Sequence, residues 1–306
     1  MIPNFERFVG IDWSGARGLG QSGIQVAELN RGEAGPVLRR PKDGILWSRP
    51  QILKYLHTLI GRPTLVGVDF AFSVPWPNDN QLFSAGPAIS DAKSLWKYVE
   101  HICQADDLYM YGGSVWKSEA SAFRPYIHHY ATRHFGEFYR RNMLRRTEMA
   151  SPGKPISVYH MTGVQVGASS FSGMRLLNAL RDMDMEKYAV WPFDDIGDAS
   201  LVVVEIYPSF FYRRNKFDRA RLSRLRRSKI DEFFDYREDV LNSYGTVSSE
   251  SDRVPSVDAA DAMISCAALA EIARDENCFG LPAGKKALIR REGWIFGVPF
   301  ESGMKS

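Results

Sequence analysis

The 306-residue chain is poor in cysteine: Cys103, Cys266 and Cys278 are its three, at unrelated spacings. This argues against a disulfide framework and against a zinc-binding cysteine cluster, and a reducing cytoplasm is the expected compartment. No apolar run approaches the ~18 or more residues of a membrane span, so no membrane partner is expected. The first residues, MIPNFER, lack a basic stretch followed by an apolar one, so no secretory leader is expected either. Internal repeats and long low-complexity linkers are also missing. Hydrophobic residues make up 44% and charged residues 25%, ordinary values that exclude a disordered chain and a collagen-like fibre. The length allows one large or two ordinary domains with a substantial core.

Net charge is small, +3, but it is unevenly spread. Residues 213–229, RRNKFDRARLSRLRRSK, hold nine basic residues and one acid, a local +8, while the rest of the chain has 30 basic residues against 35 acids. A second basic run, 133–146, carries Arg133, Arg140, Arg141, Arg145 and Arg146 against Glu137. Such runs are either solvated helix faces or surfaces that hold phosphates. Arg213, Arg214, Arg221, Arg224, Arg227 and Lys229 are the candidate nucleic-acid contacts. Phe135, Phe138 and Tyr139 flank one run and Phe210, Phe211 and Tyr212 the other. Aromatics there stack on bases or, more commonly, pack in a core.

Periodicity predicts strands at 6–12, 23–29 and 35–39, forming an antiparallel meander, then a helix over 49–61 that stops at Gly61. TLVGVDFAF (64–72) and LVVVEIYPS (201–209) are uniformly apolar, as in strands covered on both faces. Between them the chain reads as mostly helical and irregular, with helices near 90–105, 122–148 and 173–183. The uncharged, Gly- and Ser-rich stretch 155–174 reads as loop. A basic helix near 215–240 and a long apolar helix over 255–276 follow, and 287–299 is an edge strand or cover. The expected architecture is α/β, a single domain over 1–306. Its core covers about 1–75 and 198–299, and a mostly helical insertion covers about 76–197.

Carboxylates occur where apolar elements do not favour them. Asp12 ends the strand VGID, Asp69 ends LVGVD, and Glu205 lies inside LVVVEIY. Asp258 and Asp261 open a helix otherwise built of Ala, Met, Ile, Leu and Cys. Burying an unpaired carboxylate costs several kcal/mol, and several acids brought together raise one another's pKa unless a cation neutralises them. Mg²⁺ or Mn²⁺ is the ion that hard oxygen donors select, and two such ions ~4 Å apart activate water and stabilise a leaving oxygen in phosphodiester cleavage. Asp12 and Asp69 sit at carboxyl ends of expected parallel strands, and Asp258 and Asp261, three apart, share a helix face. Each acid also has a structural alternative. For Asp12 it is fixing the turn at WSGARG, and for Asp69 capping the bend into SVPWP. Glu205 has an arginine of the basic helix as an alternative partner, and Asp258 the dipole behind an N-cap at Ser256.

The segments VGIDWSG, VGVDFAFSVP, VEIYPS, VDAADAMISCAALA and EGWIFGVP together resemble a bacterial family predicted to be nucleases of RNase H-like fold. GMRLLNAL and VWPFD resemble the same family, and DAADAMI is similar to the last acidic motif of RuvC-type Holliday-junction resolvases. The resemblance implies an RNase H-like mixed sheet with flanking helices: a meander, a helix, a parallel strand and further α/β units. It implies Asp12 as the central metal ligand, Asp69 facing it from the neighbouring strand, and Asp261, with Asp258, closing the site. Glu205 corresponds to the acid of VEIYPS. Well-studied RNase H enzymes often carry the second acid as Glu, and here the nearest candidate is Asp69. The expected function is metal-dependent hydrolysis of DNA or RNA, with catalytic residues Asp12, Asp69, Glu205 and Asp261. Resolvases of this type are often homodimers, so the resemblance admits a homodimer.

Other readings carry less. His129 and His134 are five apart, which does not align them on a helix for zinc. His160, in VYHMTG, is a candidate acid or base, and Lys229 and Arg146 are candidates for holding a phosphate. Ser14 lacks the GxSxG context of a nucleophile. IDWSG also resembles the first phosphate loop of actin-like and sugar-kinase-like phosphotransferases. The second loop that reading needs is matched solely by Asp195-Ile196-Gly197. A catalytically inactive nucleic-acid-binding protein of the same fold is the remaining alternative.

Overall fold

The apolar runs become a single sheet. Its strands are β1 (Arg7–Asp12), β2 (Gln25–Asn30), β3 (Val37–Arg39), β4 (Thr64–Val68), β5 (Tyr188–Val190) and β6 (Leu201–Glu205), in the order β3-β2-β1-β4-β6-β5. The β1–β2 and β2–β3 pairs are antiparallel, and β1–β4, β4–β6 and β5–β6 are parallel. The molecule is therefore mixed α/β with a six-stranded mixed sheet. The computed structural model describes residues 4–76, 81–83, 86–106, 109–124, 126, 144–153, 155–160, 166–181, 187–248 and 254–300.

The helices among these residues are α1 (Arg49–Leu59), α2 (Ala92–Cys103), α3 (Ser114–Lys117), α4 (Arg146–Ala150) and α5 (Val166–Leu180). They continue with α6 (Pro208–Arg214), α7 (Arg219–Leu225), α8 (Ile230–Asn242), α9 (Val257–Ile272) and α10 (Lys286–Glu292). Local chemistry starts several of them. Ser48 and Gln51 form a reciprocal capping box on α1, Asp91 and Ser94 do so on α2, and Ser256 caps α9.

Successive strand residues face opposite sides of the sheet. Val9, Ile11, Val66, Val68, Leu201 and Val203 pack into one core with Ile52 and Leu56 of α1, Leu95 and Trp96 of α2, and Phe171 and Met174 of α5. Phe8, Leu65, Val202 and Val204 pack into the other with Phe211 of α6, Val240 of α8, and Ile264 and Leu269 of α9. Helix α9 lies so close on β1 that a Cβ at Gly10 would stand 2.2 Å from the Ala262 carbonyl oxygen and 2.7 Å from the Cys266 nitrogen. Glycine and the small face of α9 thus set the spacing between the strand bearing Asp12 and the helix bearing Asp261.

Four expectations change. The stretch read as loop over 155–174 holds the first half of α5. Its serines satisfy themselves by bonding back along the helix, Ser169 Oγ and Ser170 Oγ to the Val166 carbonyl at 2.9 and 2.8 Å, and its small residues admit close neighbours. A Cβ at Gly173 would meet the Phe70 ring at 2.4 Å. The basic helix is two helices, α7 and α8, broken at 226–229. The tail forms α10 and then a cover in which Ile295 makes one isolated parallel bridge to Glu205. The three-residue strand β5 had no counterpart in the expected elements. Of the helix expected over 122–148, residues 127–143 lie outside the described residues, as do Arg133, Arg140, Arg141, His129, His134 and the aromatics Phe135, Phe138 and Tyr139.

Candidate active site

β1, β4 and β6 run parallel, so their carboxyl ends share one edge of the sheet, and a cleft of about 570 Å³ opens there. Asp12, Asp69, Glu205, Asp258, Arg145, Glu148 and Arg219 are among its lining residues. Asp12 and Asp69 lie at the ends of adjacent strands, Ile11 being paired with Val68, and their carboxyl groups are within hydrogen-bonding reach of each other. Asp12 is 8% exposed, and no N–H donor or cation bonds to it among the described residues. Strand alternation explains the meeting. Gly10 and Asp12 face α9, as do Gly67 and Asp69, and α9 delivers Asp261 to the same place.

Asp261 is fully buried in the first half of α9. Its Oδ1 accepts from Tyr212 Oη at 3.0 Å, and its Oδ2 accepts from Arg219 Nε at 2.6 Å. Asp258, one turn earlier, is half-buried, and its Oδ2 would lie 3.9 Å from a Cβ on Gly23, where glycine leaves the site open.

The electrostatics follow from this crowding. Burial first, then Asp261, Asp69 and Asp258, hold the Asp12 carboxyl well above the usual range. Burial and Asp261 push Asp69 up to about 7. Asp261 and Asp258 are raised as well, chiefly by burial, with the Arg219 guanidinium opposing. The cluster therefore carries more negative charge than its one guanidinium neutralises.

The loop after Asp12 is fixed on both sides. Trp13 Nε1 donates to the Ser169 carbonyl and Ser172 Oγ of α5 at 3.1 and 3.0 Å. The fully buried Arg49 donates to the carbonyls of Ser14, Ala16 and Tyr109. With no carboxylate partner among the described residues, burial pushes the Arg49 guanidinium down to about 10.

Glu205 lines the cleft but is not brought into the aspartate cluster. It is paired with Val68 in register, so it follows Leu201 and Val203 to the opposite face from Asp12. There Arg145 grips both of its oxygens, Nη1 to Oε2 at 2.8 Å and Nη2 to Oε1, and the Phe72 amide donates to Oε2 at 3.0 Å. Arg145 also bonds Glu148 Oε1 at 2.8 Å. The alternative of an arginine partner is thus realised, but by Arg145 of the other basic run. Sequence reasoning missed Arg145, Glu148, Tyr212 and Arg219. Its one usable signal was that a buried acid in an apolar helix or strand requires a donor.

Of the basic candidates, Arg146 donates to Glu292 Oε1 at 2.9 Å, so it is committed to a buried acid. Arg213, Arg214, Arg221, Arg224, Arg227 and Lys229 are exposed. Arg214 pairs with Glu271 at 3.2 Å, Arg224 with Asp218 at 3.2 Å and Lys229 with Glu232 at 2.6 Å, all on the surface. His160 does not line the cleft. Asp195, Ile196 and Gly197 line a separate cavity of about 660 Å³ at the edge of the sheet, beside Trp191 and Phe279. The two loops required by the phosphotransferase alternative therefore open into different cavities.

Comparison with models of protein families, with curated proteins and with solved structures finds no match.

Among the described residues no group of three or more His, Cys, Asp or Glu side chains is arranged to hold a metal ion as it stands. The donor chemistry nevertheless suits a hard cation: carboxyl oxygens crowded at the edge of an open cleft. No described helix is long and apolar enough to cross a membrane.

Proposed function

We propose that the chain is a Mg²⁺- or Mn²⁺-dependent phosphodiesterase of RNase H-like fold that acts on nucleic acid. The observation that carries the reading is the convergence of Asp12, Asp69 and Asp258, from two strands and a helix, on one cleft, with Asp261 buried beside them and a single guanidinium, Arg219, against the four carboxyl groups. The strand order and directions, an antiparallel meander continued by parallel strands, support the fold. Asp12, Asp69 and Asp258 would hold the ion, with Asp261 joining once free of Arg219. Bound there, a divalent ion would supply neutralising charge and an activated water for attack at phosphorus. Glu205 takes a structural part, tying β6 to Arg145. Arg226, whose charge opposes the rise of the Asp258 carboxyl, and the exposed arginines that precede and follow Arg219 in the chain would supply the positive charge along which a phosphate backbone runs.

The test is cleavage of labelled single- and double-stranded DNA and RNA with Mn²⁺, with Mg²⁺ and with a chelator. Metal-dependent cleavage is expected, and D12N should reduce it by about 10²-fold or more while leaving the circular dichroism spectrum unchanged. Cleavage undiminished by D12N would remove Asp12 from the chemistry. Absence of cleavage across all four substrates with either ion would overturn the nuclease reading.

A further inference from the structure

Two guanidinium groups line the acid cleft, and they are held differently. The Arg145 side chain is 1% exposed and bonds Glu148, Glu205 and the Glu292 carbonyl, all on fixed elements. The Arg219 side chain is 36% exposed, and it meets a single oxygen, Asp261 Oδ2, through a hydrogen bond from Nε at 2.6 Å and an ion-pair contact from Nη2. Each Asp261 oxygen thus already accepts a hydrogen bond, Oδ2 from Arg219 Nε and Oδ1 from Tyr212 Oη, and the guanidinium covers Oδ2. Arg219 is the first residue of α7, directly after the capping Asp218, and the helix is anchored by buried Leu222 and Leu225. Its side chain can therefore rotate away while the helix stays in place. For a half-exposed side chain that is a fast motion.

We infer that Arg219 is a resident counter-cation that a divalent ion displaces from Asp261, so that ion binding and the Arg219–Asp261 pair exclude each other. The inference rests on the metal reading above. An ion at Oδ2 would need the lone pairs that Arg219 uses. It would also stand beside the guanidinium, where like charges in a partly buried site repel. With Arg219 in place, Asp261 has a partner and the ion-free fold avoids an orphaned buried charge. Once the ion arrives, the ion takes over that task. Arg219 thus acts through Asp261, as a positioning residue.

The test is calorimetric titration of Mn²⁺ into the full chain at neutral pH, comparing wild type, R219Q and R274Q. R274Q removes an equal charge from the exposed surface. R219Q should bind Mn²⁺ about tenfold more tightly, and R274Q should stay within about twofold of wild type. Unchanged or weaker binding by R219Q would overturn the inference, since a purely structural loss would not strengthen ion binding. Binding by none of the three would overturn the metal reading and this inference with it. If R219Q does not fold, the wild-type chain still decides. Titration with Mg²⁺ should shift the ¹⁵N-detected Nε–H resonance of Arg219 as the bond to Asp261 breaks, and an unmoved resonance at saturation would refute displacement.

Discussion

Asp12 and Asp69 stand carboxyl against carboxyl at the ends of neighbouring strands, and the fold holds both above their ordinary range. Linkage gives this a sign. Between pH 3.8, the ordinary value of Asp69, and about 7, its value here, the folded chain binds more protons than the unfolded one. Stability of the metal-free protein therefore falls as pH rises through that window and is lowest above it. D69N removes the proton requirement. It should stabilise the metal-free protein by about 2 kcal/mol at pH ~8, and its stability should change less between pH ~5 and ~8 than that of wild type. Urea unfolding in the presence of a chelator measures both. A D69N protein no more stable than wild type at the higher pH would mean that the two carboxyls are not crowded. Glu205 shows the opposite solution to burial. Its charge is met inside the protein by Arg145, so it does not wait for an ion.

The elements that bring these residues together depend on one close approach. Helix α9 lies against β1 with Ala262 and Cys266 over Gly10, and the space for a side chain there is filled by backbone. G10V should force α9 away from the sheet, costing about 3 kcal/mol, and should separate Asp261 from Asp12. Urea midpoint and Mn²⁺ titration together test it, and an unchanged midpoint would show that the packing there is not tight. Much of this scaffold was legible in the residues. The meander, α1, β4, β6 and α9 all announce themselves by apolar periodicity, and the aspartates by standing at the ends of apolar runs. Three things were not legible, each for a physical reason. Gly and Ser mask α5, because their low intrinsic helix preference is overridden by packing on Trp13 and Phe70. The break between α7 and α8 is hidden inside a basic run whose anchors are just Leu222 and Leu225. The face taken by Glu205 follows from register, since a shift of one residue along β6 would turn it toward Asp12.

Across the whole molecule, charge is separated over a short distance. The acids gather at the carboxyl edge of the sheet, and from the basic segment 213–229 Arg219 turns in to Asp261 while its other arginines are exposed. Part of that outward charge is already answered: Arg214, Arg224 and Lys229 have acidic neighbours, and Arg221 lies over the Tyr236 ring at 4.6 Å. Exposed pairs of this kind are weak and screened, so they yield readily to a polyanion. Arg226 and Arg227 make no ion pair among the described residues. A nucleic acid approaching the cleft would meet this surface first and release counterions from its backbone, giving binding that weakens steeply with salt. Reversing Arg224, Arg226 and Arg227 to Glu should weaken binding to duplex DNA at low salt. It should also reduce the slope of log K against log salt by about 2 to 3, close to 0.9 for each phosphate that the protein no longer neutralises. Fluorescence anisotropy over a range of salt concentrations, in a chelator so that no cleavage intervenes, reads the slope directly. A triple variant with the wild-type slope would place the backbone on another face of the molecule, and the acids would then have to be reached from the α5 side of the cleft.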